Sequence, residues 1–176
     1  MSIYRLRPQG WAGEVVSQFR ELWTERAEIA ATLISPGSSV LDLGCGEGPL
    51  RQFLPSGCTW KGYDLRPLGR DIERIDLDAG EFPAGRYDCV VLLGVLAWLK
   101  DPAAVLVRAR AATNCVIITD NTRIWSLRRP FSFRTASRLD RLLTRTGWHC
   151  DARLLWKKAQ TKEYYVCRLV SGPLRS

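Results

Sequence analysis

Asp42, Gly44, Gly46 and Gly48 fall at every second position of the stretch Val40-Leu41-Asp42-Leu43-Gly44-Cys45-Gly46-Glu47-Gly48-Pro49-Leu50. Glycines so spaced suit a backbone that turns sharply and lies close to a bound molecule. A carboxylate at the end of the preceding apolar run can fix that turn or reach the ligand. Asp64 stands 20 residues beyond Gly44, the interval at which an acidic residue ending the next strand can bond ribose hydroxyls. Asp76 follows in a further acidic segment. For Asp64 and Asp76 a strand-end or capping role is the other reading. Asp120 and Asn121 close a later apolar run, where Asp120 could act as a general base or tie down a loop. Trp98 and Trp125 could wall a ligand pocket, although a buried tryptophan more often serves the core.

Other chemistries have less support. The six cysteines, Cys45, Cys58, Cys89, Cys115, Cys150 and Cys167, include no Cys-x-x-Cys pair, and His149 is the single histidine. No metal site is expected. Cys89, Cys115 and Cys167 lie in apolar runs and read as small buried hydrophobes.

The elements that must hold these residues alternate between strand and helix. Apolar positions from Trp11 to Ile34 recur at helical spacing, in a helix that could break near Thr24; residues 1–34 read as an N-terminal helical arm. Strand Ser39–Leu43, the glycine turn and a short helix from Leu50 follow, a layout expected to place backbone N–H groups and a helix N-terminus at a cofactor. Strands are expected at Thr59–Asp64, Ile72–Leu77 and Tyr87–Leu93. The link between the first two of these is short for a parallel pair, which calls for a crossover of about a dozen residues. Asp101 and Pro102 start a helix to Ala111. Strand Cys115–Asp120, a loop from Asn121 to Phe133, and a basic helix Thr135–Thr146 capped by Gly147 come next. Strands Trp148–Trp156 and Tyr164–Val170 close the chain as an antiparallel hairpin around Lys157–Lys162. The pattern predicts a single α/β domain over residues 1–176: a Rossmann-like, mostly parallel sheet of about seven strands with helices on both faces.

The chain is 46% hydrophobic and 25% charged, as expected of a globular protein. With no signal-like start and no apolar run of the roughly 20 residues that span a bilayer, a cytoplasmic protein without a membrane span is expected. The net charge of +8 is uneven: residues 1–120 carry 13 basic and 15 acidic side chains, residues 121–176 carry 13 and 3. The basic part is a solvated face or meets an anionic acceptor, a nucleic acid or an acidic surface.

Four pieces together resemble the class I (Rossmann-like) S-adenosylmethionine-dependent methyltransferases: residues 40–48, Gly62-Tyr63-Asp64, Asp76-Leu77, and the segment from Tyr87-Asp88-Cys89-Val90-Val91 to Asp101-Pro102. The resemblance implies S-adenosyl-L-methionine as cofactor. It implies that backbone at Gly44, Cys45 and Gly46 passes the methionine part, with Asp42 ordering the loop. Asp64 would bond the ribose, Leu65 pack on adenine, Asp76 and the Leu77 amide meet the adenine edge, and Leu93 and Gly94 line the methionine end. The acidic residues suit a cationic sulfonium, whereas a nicotinamide dinucleotide calls for Gly-x-Gly-x-x-Gly, and Pro49 stands at the third glycine. A narrower resemblance, through Asp76-Leu77-Asp78-Ala79-Gly80, Phe82-Pro83 and Pro102-Ala103-Ala104-Val105-Leu106, is to the MetW-like group.

The acceptor is expected in the loops after strands 4 and 5, among Trp98, Asp120, Asn121, Arg123 and Trp125. The stretch Leu92-Leu93-Gly94-Val95-Leu96-Ala97-Trp98 lacks the Asn-Pro-Pro-Tyr pattern of adenine and glutamine amino methyltransferases, and Ala97-Trp98 stands where many small-molecule relatives carry Glu-His. No Pro-Cys nucleophile motif is present. A small-molecule or carrier-linked acceptor is the first expectation, and the basic residues of 121–176 suit an anionic one. The alternatives are a cofactor-binding subunit that serves a partner protein with little turnover of its own, and an RNA methyltransferase.

Overall fold

A computed structural model describes residues 14–121, 136–159 and 162–172. In chain order the elements are α1 (Glu14–Ala31), β1 (Ser39–Leu43), β2 (Thr59–Asp64), β3 (Ile72–Arg74), β4 (Cys89–Leu92), α2 (Pro102–Ala112), β5 (Cys115–Asn121), α3 (Ala136–Thr146), β6 (Trp148–Ala159) and β7 (Lys162–Ser171). The strands form one seven-stranded sheet in the order β3-β2-β1-β4-β5-β7-β6. Pairs from β3 through β5 are parallel. β7 is antiparallel to both β5 and β6. The α/β, Rossmann-like, mostly parallel architecture with a C-terminal antiparallel hairpin agrees with the expectation.

Side chains alternate across a strand, so a sheet covered on both faces must be apolar at successive positions. Leu41 and Leu43 of β1, Val90 and Leu92 of β4, Val116 and Ile118 of β5, and Cys167 and Leu169 of β7 face α2 and α3, where Leu106, Leu139 and Leu143, with Trp148 of β6, complete a buried cluster. Val40, Cys89, Val91, Ile117 and Val166 point the other way, onto Ala27, Ala30 and Ala31 of α1. Small residues on α1 let it lie close to the sheet.

The short link from β2 to β3 holds a parallel pairing without a crossover helix. Only three positions pair, from Gly62 opposite Ile72 to Asp64 opposite Arg74. The seven-residue link Leu65–Asp71 has only to run back along that overlap, well within a reach of about 3.3–3.6 Å per residue.

Several boundaries differ from expectation. The third strand ends at Arg74, and Leu77–Ala79 is a 3₁₀ turn capped by Asp76. The segment after the glycine turn, Pro49–Phe53, is 3₁₀ rather than α-helical. α1 runs through Thr24 without a break. β6 and β7 extend into the polar Lys157–Lys162 link, with register shifts between Cys150 and Ala152 and between Leu155 and Lys157. Asp101 caps α2 as expected, its carboxylate accepting from the Ala104 amide at 3.1 Å. The expected loop from Asn121 to Phe133 lies, beyond Asn121, outside the described residues. No helix among the described residues is long and apolar enough to cross a membrane.

Trp148 ties the hairpin to α2: it is buried, and its indole N–H donates to the Leu106 carbonyl at 2.9 Å. Trp148→Phe removes that bond and shrinks the ring. It is expected to lower the unfolding free energy by about 1–3 kcal/mol in urea denaturation.

Candidate functional site

Strand order reverses between β1 and β4, and the carboxyl ends of parallel strands on either side of such a switch form a crevice. β1 and β2 end side by side, Asp42 opposite Gly62 and Leu43 opposite Tyr63. The chain leaves β1 through Gly44 (φ 72°), Gly46 (φ 62°) and Gly48 (φ 76°), in the left-handed region where a side chain is strained.

This loop folds back on the end of β2. The amides of Gly44 and Cys45 both donate to the Tyr63 carbonyl, at 2.7 and 3.1 Å. Gly46 N–H donates to Asp64 Oδ2 at 2.9 Å, while Asp64 Oδ1 accepts from Arg66 N–H at 2.8 Å. Gly48 N–H donates to the Cys45 carbonyl at 2.9 Å. The loop amides are thus directed into the protein, contrary to the expected presentation to a ligand, and the following turn is a five-residue 3₁₀ segment rather than a helix with a dipole. Such a loop is a wall and not a phosphate cradle. The space beside Gly46 is open: a Cβ there would meet nothing within 4 Å.

Asp42 is buried, and its Oδ2 accepts from the Trp60 indole N–H at 3.3 Å. The loop-ordering bond expected of Asp42 is made by Asp64. The Trp60 ring lies across Gly62, where a Cβ would collide with it, and against Gly48. Arg51 stacks over the same ring, 5.5 Å from its centre, and pairs with Asp71 at 3.0 Å. A Cβ on Gly44 would strike the buried side chain of Val95.

Beyond β3, Asp76 Oδ1 accepts from the amides of Asp78 and Ala79 at 3.0 and 3.2 Å, so its capping role is realised. Leu77 is buried and Leu65 half-buried. After β4, Leu93 is buried and Gly94 (φ 73°) donates its N–H to Thr119 Oγ1 at 2.6 Å. Trp98 is half-buried in the 3₁₀ turn Leu96–Trp98. Asp120 and Asn121 end β5 opposite Tyr165 and Tyr164. Their side chains, with Arg123 and Trp125, lie outside the described residues.

Sequence reasoning missed three groups at this site. Arg26 reaches from α1 to Gly94, where a Cβ would collide with its guanidinium. Trp60 could have been found from its place two residues before Gly62, on the face of Asp42. Thr119, two positions after Ile117 in β5, holds the Gly94 turn. A cavity of about 590 Å³ lies between Trp23 and Thr24 of α1 and the segment Glu47–Pro49. Its walls do not include Asp64, Asp76 or Gly94, so it adjoins the crevice rather than being it. Among the described residues no group of three metal-ligating side chains occurs.

Burial pushes the Asp42 carboxyl up to about 7, opposed by the indole bond from Trp60 and the charge of Arg26. Burial likewise brings Arg26 down to about 10 against the pull of Asp42. Burial and the nearby carboxylates of Asp42 and Asp64 raise the Cys45 thiol, which stays protonated and unreactive.

A family model described as a methyltransferase domain matches residues 16–153. The chain belongs to the methyltransferase-domain family. No curated protein matches it in sequence. Among solved structures, it is similar to magnesium protoporphyrin IX methyltransferase from Synechocystis PCC 6803 with bound S-adenosylhomocysteine: 15% identity, TM-score 0.65, covering 97% of this chain and 93% of that one. It is similar to 1,6-didemethyltoxoflavin-N1-methyltransferase from Burkholderia thailandensis, bound to 1,6-didemethyltoxoflavin and S-adenosylhomocysteine: 18% identity, TM-score 0.66, covering 89% and 84%. The pyocyanin biosynthetic protein PhzM matches at 16% identity and TM-score 0.72, covering 98% of this chain and 62% of that one. S-adenosylmethionine, the cofactor expected from the sequence, agrees with these findings; the narrower likeness to the MetW-like group rests on its sequence motif alone.

The residues of this methyltransferase domain fit such a cofactor. Carboxylates of Asp42 and Asp64 suit a sulfonium, the open side of Gly46 leaves room, and the inward-turned amides withhold what a pyrophosphate would need. The Asp42 shift also has a consequence for stability. Between about pH 4 and pH 7 the folded chain keeps the Asp42 proton that the unfolded chain has released, so this group's contribution falls as pH rises through that window and is level above it. Asp42→Asn is expected to remove that slope. The wild-type melting temperature minus that of the variant should decline from pH 5 to 7; parallel curves would contradict the assignment.

Proposed function

We propose that the chain transfers a methyl group from S-adenosylmethionine to a small-molecule or carrier-linked acceptor, residues 1–176 acting as one domain. The observation that carries this reading is the closure of the glycine loop onto Tyr63 and Asp64, which lines the crevice with carboxylates and leaves no amide nest for a pyrophosphate. The bound cofactor supplies a methyl carbon already activated by its sulfonium. The chain's own part is then to hold, orient and exclude water.

Asp64 is placed to accept from ribose hydroxyls with the lone pairs that Gly46 and Arg66 leave over, since a carboxylate has about four acceptor sites. Asp76, already capping its turn, and the Leu77 amide would meet the adenine edge, with Leu65 against its face. Leu93 and Gly94, fixed by Thr119, would border the methionine end. The acceptor would enter over the ends of β4 and β5, between Trp98 and Asp120–Asn121. Acidic groups sit on the β1–β3 half of the sheet. On the other half Arg153 stacks on Tyr165 at 4.8 Å and Arg168 pairs with Asp151 at 2.8 Å, with Arg141 and Arg145 exposed on α3. That asymmetry favours an anionic acceptor.

Transfer of label from methyl-labelled S-adenosylmethionine to small carboxylated, phosphorylated or carrier-linked acceptors tests the activity. Tight cofactor binding with no transfer to any acceptor or cell extract would instead support a cofactor-binding partner subunit. Asp64→Ala should weaken S-adenosylhomocysteine binding by about 1.5–3 kcal/mol in calorimetry, the range for a charged hydrogen bond; unchanged affinity would remove the ribose assignment.

A further inference from the structure

β4 begins at Cys89 and β5 at Cys115. These strands are parallel neighbours, Val90 opposite Val116, so the two cysteines open them side by side. Side chains two apart along a strand share a face. Cys89 therefore lies with Val91 and Cys115 with Ile117, both on the side covered by α1. Their sulfurs are 3.9 Å apart. Adjacent strands stand about 4.8 Å from one another, within the roughly 4.4–6.8 Å between Cα atoms that a disulfide spans. Taken singly, each residue is a small hydrophobe; together they are a dithiol.

The two thiols are not equivalent. Cys89 is 3% exposed, whereas Cys115 is only half-buried. A hydrogen bond shared between them holds the Cys115 thiol below its ordinary range, with the charge of Arg168 helping and burial and Asp151 opposing. The same bond and burial push Cys89 well up. Arg168 stands on β7 opposite Ile117, and both carboxylate oxygens of Asp151 accept from its guanidinium. A lowered, reachable thiol beside a raised, sheltered one is the arrangement of an attacking and a resolving cysteine. The other cysteines differ. Cys45 is buried in the glycine loop with its thiol raised, and Cys58 donates to the Ser35 carbonyl at 3.4 Å. Cys150 on β6 is exposed, and its thiol is lowered chiefly by a bond with Cys167.

We propose that Cys115 and Cys89 form a reversible modification site, closed to a disulfide between β4 and β5 by hydrogen peroxide. The Cys115 sulfur attacks one peroxide oxygen. The O–O bond breaks, Cys115 becomes a sulfenic acid and one water leaves. The Cys89 sulfur then attacks the Cys115 sulfur. The S–S bond forms, the S–O bond breaks, and the hydroxyl departs as a second water with the Cys89 proton. The two thiols together lose two electrons, and one peroxide is reduced to two waters. Cys89 has little thiolate of its own, so its part depends on being held next to Cys115, which makes the second step intramolecular. The site lies at the amino ends of β4 and β5, at the opposite end of the sheet from the crevice. It needs no cofactor, and its closure ties two central strands without filling the crevice.

Peptide mapping of the full, reduced chain after treatment with hydrogen peroxide tests this. Remaining thiols are blocked with iodoacetamide under denaturing conditions, and trypsin is applied without reductant. Cleavage after Arg86, Lys100, Arg110 and Arg123 puts Cys89 in peptide 87–100 and Cys115 in peptide 111–123. These two should appear joined, and dithiothreitol should part them. Cys115→Ser should abolish the joined peptide. Cys89→Ser should leave Cys115 as a sulfenic acid that dimedone captures, with much less capture in wild type. Finding the two peptides unjoined would overturn the proposal, whether oxidation falls on Cys150 in peptide 146–153, links Cys115 to another cysteine or occurs nowhere. Equal dimedone capture at Cys115 in wild type and Cys89→Ser would do the same. Should either variant not fold, the wild-type map decides alone, since only 87–100 joined to 111–123 agrees with the pair.

Discussion

The end of β2 gathers the glycine loop, and the rest of the site follows from that contact. Tyr63 offers one carbonyl to two successive amides, Gly44 and Cys45, and Asp64 takes the next free one from Gly46. With these N–H groups turned inward, the loop is tied to the Tyr63 carbonyl and the half-buried Asp64 carboxylate. The left-handed conformations at Gly44, Gly46 and Gly48 are the geometric condition for that fold-back. Gly62 has a different task, since its missing side chain gives the Trp60 ring its place over the loop. The same glycines that would cradle a phosphate in a dinucleotide site here make a wall beside an acidic crevice.

Charge inside the crevice is set by burial as much as by pairing. Asp42 lies beneath Trp60 with a single indole donor and titrates near 7, whereas a solvated carboxylate would be ionised far below that. A cation brought next to it would favour the ionised form and so couple ligand charge to the protonation of β1. Arg26 on α1 completes this set, which makes the first long helix part of the site's electrostatics as well as a cover for the sheet.

Much of the architecture was legible because strands covered on both faces read as unbroken apolar runs, as in Cys89–Leu93, and because Asp101-Pro102 and Gly147 punctuate helices unambiguously. The site's carboxylates were legible from their spacing behind Gly44. What the spacing could not show is where each bond goes. The loop-ordering bond expected of Asp42 is made by Asp64, while Asp42 accepts from Trp60 instead. Pro49 permits a tight 3₁₀ turn where an α-helix was expected. Arg26 was hidden because, in a helix read only for its apolar stripe, a charged residue beside Ala27 looks like solvated surface. Only the close approach of α1 to the sheet, allowed by Ala27, Ala30 and Ala31, brings it to Gly94.

The central claim, that the loop and its carboxylates take a sulfonium cofactor and not a dinucleotide, is tested most directly by equilibrium dialysis of the intact chain against labelled S-adenosylmethionine. The account predicts one molecule bound per chain, displaced by S-adenosylhomocysteine and undisturbed by excess NAD. Saturable NAD binding, with S-adenosylmethionine failing to bind or to compete, would contradict it.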